Sequence, residues 1–154
     1  MTYAAFRSIG AYIPSKIMTN ADFEKIIDTS DEWITKRTGI KERRISEENE
    51  ASSDLGAKAA EVAIQRSGLL KEEIDLVICA TVTPDYLCMP STACLISSKI
   101  GLPNVMAFDI SAACTGFVYA ISIAKAEQAG YRIRNPKEVS MMPKDMPNEG
   151  FYPN

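Results

Sequence analysis

The chain has 154 residues, of which 46% are hydrophobic and 24% charged, with a formal net charge of −3. That length and balance suit one globular domain with a real core and argue against a disordered chain. The mild negative charge favours neither nucleic acid nor an anionic membrane surface, and no apolar run approaches the roughly 18 residues of a membrane span.

Residues 3–13, YAAFRSIGAYI, have the β-branched and aromatic content of a strand, ended by Pro14. The first residues lack a charged stretch followed by an apolar one, so no signal peptide is expected. Asn20 is placed to cap a short helix, ADFEKIID. Ser30 or Asp31 is placed to cap another, DEWITKRTG, with Gly39 at its left-handed end. Residues 45–53, ISEENEASS, read as a polar loop. From Ser53, DLGAKAAEVAIQRSG forms an amphipathic helix with Leu55, Ala59, Val62, Ala63 and Ile64 on one face, stopped by Gly68. IDLVICATVT, 74–83, is a nearly continuous apolar run, the pattern of a strand buried on both faces of a parallel sheet.

Pro84, Asp85 and Pro90 mark a loop, and Ser91 is placed to cap the helix TACLISSKIG. NVMAFDI is the next strand, and residues 114 to about 126 the next helix. Alternating strand and helix predicts an α/β domain. Residues 127–154 hold four of the eight prolines and show no regular period, so a loosely ordered tail is expected after a half-domain of residues 1–126.

The four cysteines are Cys79, Cys88, Cys94 and Cys114, with no C-x-x-C pair and no histidine in the chain. Neither a metal site nor a disulfide framework is expected. Cys79 and Cys94 read as buried small hydrophobes, and a reducing cytoplasm as the compartment.

Cys114 stands apart. In DISAACTGF, 109–117, it sits where an apolar strand turns into a helix. Such a junction places its turn residue at the carboxyl edge of a sheet, where α/β active sites form. The helix start directs free N–H groups and its positive end at the thiol, which favours the thiolate. The cysteine's own N–H can help hold an oxyanion. Ala112, Ala113 and Gly116 leave room for a substrate and for a strained nucleophile elbow. A cysteine that merely fills a tight corner fits the same local pattern, and both readings stay open at this point. The following helix carries Phe117, Val118, Tyr119, Ile121, Ile123 and Ala124 almost all round, with no charge until Lys125. A helix apolar on every side lies between two layers, and this chain supplies one sheet. A partner chain or a second half is expected to cover it.

NADFEKIIDTSDEWITKRTGIKERR, 20–44, together with PSTACLISSKIGL and AFDISAACTGFVYA, closely resembles β-ketoacyl-acyl-carrier-protein synthase III. Members of that family are thiolase-like condensing enzymes that start bacterial fatty acid synthesis. The resemblance runs from about residue 3 to about 126. It implies the α/β thiolase-like fold, as an incomplete N-terminal half of the layered αβαβα architecture. It implies that Cys114 is the nucleophile that takes an acetyl or other short acyl group from coenzyme A. Condensation with malonyl-acyl carrier protein would follow, with loss of carbon dioxide.

By the same resemblance Trp33 stacks on the adenine of coenzyme A, Thr29 contacts that base, and Arg37 lies on the coenzyme A contact motif, where a guanidinium suits phosphate. Met89 matches a residue that crosses a homodimer interface to line the partner's acyl pocket. Without the motif, a core role for Trp33 is as good a reading as a binding one, and a solvated charge for Arg37 and a cap for Thr29 stay open as alternatives. The resemblance implies no permanently bound cofactor, acetyl-CoA as substrate, and acyl-CoA and malonyl-acyl carrier protein as partners. No nucleic acid or membrane partner is expected.

The family's catalytic histidine and asparagine come from a second half that this sequence does not contain. The chain is therefore expected to self-acylate at most and not to condense. The alternative is a truncated, non-catalytic remnant that associates with an intact homologue or is unstable.

Overall fold

The computed structural model describes residues 5–102 and 104–128, so the expected tail lies almost wholly outside the described residues. The first of two small sheets pairs β1 (Lys16–Thr19) with β2 (Glu42–Ile45) antiparallel, from Lys16↔Ile45 to Thr19↔Glu42. The connection between them carries α1 (Asn20–Phe23) and α2 (Asp31–Thr38).

Thr19, rather than Asn20, caps α1. Its hydroxyl accepts the Asp22 N–H, and the Asp22 carboxylate accepts the Thr19 N–H at 3.0 Å. The Thr19 hydroxyl, then the Thr19 N–H and Lys25, hold the Asp22 carboxyl well below the usual carboxylate range. The expected helix through Asp28 stops after one turn. The Ile26 and Ile27 N–H groups both turn onto the Phe23 carbonyl, and both side chains stay exposed, so no packing extends it. In α2 the Ser30 hydroxyl accepts the Trp33 N–H, and Gly39 closes the helix at φ 73° as expected. Strand β2, ERRI, has no apolar alternation to announce it and exists by pairing with β1.

The second sheet pairs β3 (Leu76–Ala80) with β4 (Met106–Ile110) in parallel, from Leu76↔Met106 to Ala80↔Ile110. Helix α3 (Ser52–Ser67) precedes β3 and ends at Gly68. Helix α4 (Thr92–Lys99), capped by Ser91, lies on the crossover between the strands. Ala57, Ile96 and Ile100 form the core, with Ala60, Ile64, Val77, Cys79 and Leu102 packed around them. Helix α5 (Gly116–Gln128) packs on β3 and β4.

Three expectations need correction here. Residues 5–13 form no strand. A strand needs a ladder partner, and this segment instead lies across α3. The Ser8 hydroxyl donates to the Ala63 carbonyl at 2.7 Å, and the Arg66 guanidinium to the Ile9 carbonyl at 2.9 Å. A Cβ at Gly10 would fall 2.2 Å from the Ala59 carbonyl oxygen, so only glycine permits this approach. The apolar run 74–83 is strand only from Leu76 to Ala80, and both strands are half-buried rather than enclosed. Cys94 is exposed, its thiol near the Ala107 carbonyl, while Cys79 is half-buried as part of the core surround. The apolar α5 leaves Phe117 65%, Val118 60% and Tyr119 52% exposed, so no second layer covers it among the described residues.

Two carboxylates join this framework. Asp109 of β4 accepts the N–H groups of Thr92 and Ala93 at 2.7 and 2.8 Å, the first turn of α4. Asp85 accepts the Ser53 N–H at 2.9 Å and the Ser53 hydroxyl at 2.5 Å, the first turn of α3. Thr92, Ala93 and Ser53 are fully buried, so water cannot replace either carboxylate. Asp109→Ala should therefore lower stability by about 2–4 kcal/mol, the cost of leaving two buried N–H groups unpaired. Urea denaturation checks this. Asp109→Asn, which keeps one acceptor oxygen, should lose less.

Candidate active site

Strand β4 ends at Ile110, and the chain reaches α5 through a tight turn, Ala113–Thr115. The turn closes on itself. The Thr115 N–H and hydroxyl both donate to the Ala112 carbonyl, at 3.0 and 2.8 Å, and the Gly116 N–H donates to the Ala113 carbonyl. Ala113 has φ 43°, an uncommon conformation for a residue with a side chain. Such a residue stores on the order of 1–3 kcal/mol and persists only where its surroundings hold it. Gly116 is buried against β3, and a Cβ there would meet the Ala80 Cβ at 3.1 Å. Small residues thus bring α5 close to the strand ends and leave the Cys114 side chain exposed on the turn.

The second group lies on α2. Trp33 is 54% exposed, and the Arg37 guanidinium sits 4.7 Å from its ring centroid, one helical turn on. The guanidinium stacks over one face of the indole, so a positive charge and an aromatic ring lie together, a pairing that suits a flat heteroaromatic base carrying phosphate. Thr29 is half-buried immediately before the Ser30 cap. Met89 is 80% exposed in the loop after β3, with Val82, Tyr86 and Leu87 also exposed. The structure therefore brings Trp33 and Arg37 together and sets Thr29 at the head of their helix. No hydrogen bond or ring contact links them to Cys114 or Met89 among the described residues.

Sequence reasoning passed over Asp109 and Asp85. A signal existed for Asp109, because a lone carboxylate inside an apolar strand must find donors. Asp109 and Asp85 also act on Cys79, which pairs with Asp109 across the sheet. Burial first, then the charges of Asp109 and Asp85, push the Cys79 thiol up to about 11. Among the described residues no group of three or more histidine, cysteine, aspartate or glutamate side chains could hold a metal ion. No helix among them is long and apolar enough to cross a membrane.

No family model matches the chain. Curated proteins and solved structures do. A β-ketoacyl-[acyl-carrier-protein] synthase III of Aliarcobacter butzleri is 82% identical over 126 residues, 82% of this chain and 38% of that protein. The corresponding protein of Sulfurimonas denitrificans is 69% identical over the same length. The crystal structure of 3-oxoacyl-[acyl-carrier-protein] synthase III from Aquifex aeolicus superposes with a TM-score of 0.75 at 51% identity, covering 80% of this chain and 40% of that one. The synthase III structure from Thermus thermophilus gives 0.76 at 48% identity, covering 83% and 40%.

The parallel β3–β4 pair, the turn after β4 and these superpositions define the class: part of a thiolase-like α/β condensing-enzyme fold. More particularly, the 126 matched residues are similar to the corresponding part of β-ketoacyl-[acyl-carrier-protein] synthase III proteins. The chain spans about 38% of the length of the first curated relatives it matches.

The four thiols should separate by reactivity. With a thiol reagent at pH 8, Cys79 should label at least about tenfold more slowly than Cys114. Half-burial hinders approach, and its raised pKa keeps it protonated. Its rate should climb as pH approaches about 11. Peptide mapping of timed samples measures this, and equal rates would contradict the geometry.

Proposed function

We propose that this protein carries the acyl-accepting part of an initiating condensing enzyme of bacterial fatty acid synthesis, with Cys114 as the acyl acceptor. The observation that carries the reading is the exposed thiol on a strained strand-to-helix turn, in a chain 82% identical over its matched part to a synthase III. The Cys114 thiolate attacks the carbonyl carbon of acetyl-CoA or another short acyl-CoA. A new thioester forms, the bond to coenzyme A breaks, and the proton from Cys114 leaves with the coenzyme A thiol. Trp33 and Arg37 take the adenine and phosphate end, Thr29 contacts the base, and Met89 lines the acyl pocket of a partner subunit in a homodimer. Malonyl-acyl carrier protein is the second substrate, no cofactor stays bound, and the cytoplasm is the compartment.

Condensation requires a histidine and an asparagine to stabilise the decarboxylating thioester, and the 154-residue chain has no histidine. Groups that act as a unit lose most of their effect when any is missing. The chain alone therefore acylates without condensing. A second reading, a non-catalytic remnant that associates with a homologue, is favoured by the open faces of α5 and of the Val82–Met89 loop, where Leu87 is fully exposed.

Intact mass spectrometry separates the two. After incubation with acetyl-CoA, the chain should gain one acetyl group, and Cys114→Ala should abolish the gain. A folded, monodisperse chain that gains nothing supports the remnant reading. With malonyl-acyl carrier protein added, no ketoacyl product should form; product from this chain alone would refute the account of condensation.

A further inference from the structure

We infer that Asn20 is the positioning residue that aims the Trp33–Arg37 pair at its ligand. Its side chain is 1% exposed and lies at the centre of a polar cluster. The side-chain amide donates to the Asp31 carboxylate at 2.7 Å, in the first turn of α2, and to the Ile40 carbonyl at 2.8 Å, just past the end of α2. It also lies 3.4 Å from the Thr35 hydroxyl in the middle of the helix. Its oxygen accepts from the Arg43 guanidinium of β2 at 2.9 Å. One buried side chain thus ties both ends of α2 to the β1–β2 sheet.

Little else does so. Helix α2 has eight residues, and Ile34 is its one buried side chain. A helix this short is marginal in water without tertiary support. Trp33 and Arg37 face solvent and add nothing to its anchoring. Glu24 adds one exposed contact, accepting the Asp31 N–H at 2.6 Å. Removing Asn20 leaves the Asp31 carboxylate, the Ile40 carbonyl and the Arg43 guanidinium without a common partner. The helix then loses its fixed tilt, and the ligand must meet the cost of reordering it.

The inference rests on reading α2 as a coenzyme A contact, and the test keeps the two apart. Trp33 is the chain's only tryptophan, so its fluorescence reports on this site. Coenzyme A should quench it in the unsubstituted chain. Asn20→Ala should weaken that binding about tenfold and lower the Trp33 anisotropy. Amide exchange in α2 should quicken about tenfold while exchange in α3 stays unchanged, a pattern that general destabilisation would not give. Unchanged affinity or unchanged α2 exchange in Asn20→Ala overturns the positioning role. Absence of quenching in the unsubstituted chain overturns the coenzyme A reading, and with it the ligand named here. If Asn20→Ala fails to fold, Asp31→Ala removes an exposed acceptor of Asn20 instead. It should give a loss of about threefold with the same α2 signature, and no change there also overturns the inference.

Discussion

The carboxylate of Asp109 ties the end of strand β4 to the start of α4, five residues before Cys114. A charge inside an apolar strand is tolerable only where fixed donors replace water. The buried N–H groups of Thr92 and Ala93 are such donors, and a helix start supplies them with a favourable dipole. Asp85 does the same for α3 through Ser53, and Lys99 of α4 reaches both Ser53 and Asp54. Strand end and helix starts are thereby locked at one edge of the β3–β4 sheet. The turn at Ala113 can hold its positive φ because the strand before it and the helix after it are both fixed.

The same framework leaves surface unfinished. A helix apolar on all sides packs on β3 and β4 but keeps Phe117, Val118 and Tyr119 open. In the proposed reading, the rest of a layered fold covers that face and brings the groups that condensation needs. Acylation asks less of the fold than condensation does. In the same reading it needs an accessible thiol, a helix start and a place for coenzyme A, for which Cys114, α5 and the Trp33–Arg37 pair are proposed.

Much of this was legible in the residues. Ser91 as a cap, a cap at Ser30 or Asp31, Gly39 and Gly68 as stops, the α3 helix, and strands within IDLVICATVT and NVMAFDI in an α/β pattern followed from local chemistry and periodicity. Cys114 and Trp33 could be singled out by their motifs. What escaped depends on contacts between distant segments. Residues 5–13 look like a strand by composition, but which surface they meet is not written in them; Gly10 fits them to α3. Strand β2 is polar and shows itself only through its partner. Asn20 reads as a cap because surface asparagines often are, and its burial among Asp31, Ile40 and Arg43 is a product of the closed structure. Asp85 and Asp109 act over 32 and 17 residues of separation, beyond any local pattern.

The central claim is that the turn presents Cys114 as a reversible acyl acceptor for coenzyme A thioesters. Isotope exchange measures this without requiring condensation: labelled coenzyme A is mixed with unlabelled acetyl-CoA and the folded chain, and label is followed into acetyl-CoA. The account predicts steady exchange that Cys114→Ser removes. A folded chain that catalyses no exchange, or exchange that survives Cys114→Ser, would contradict it.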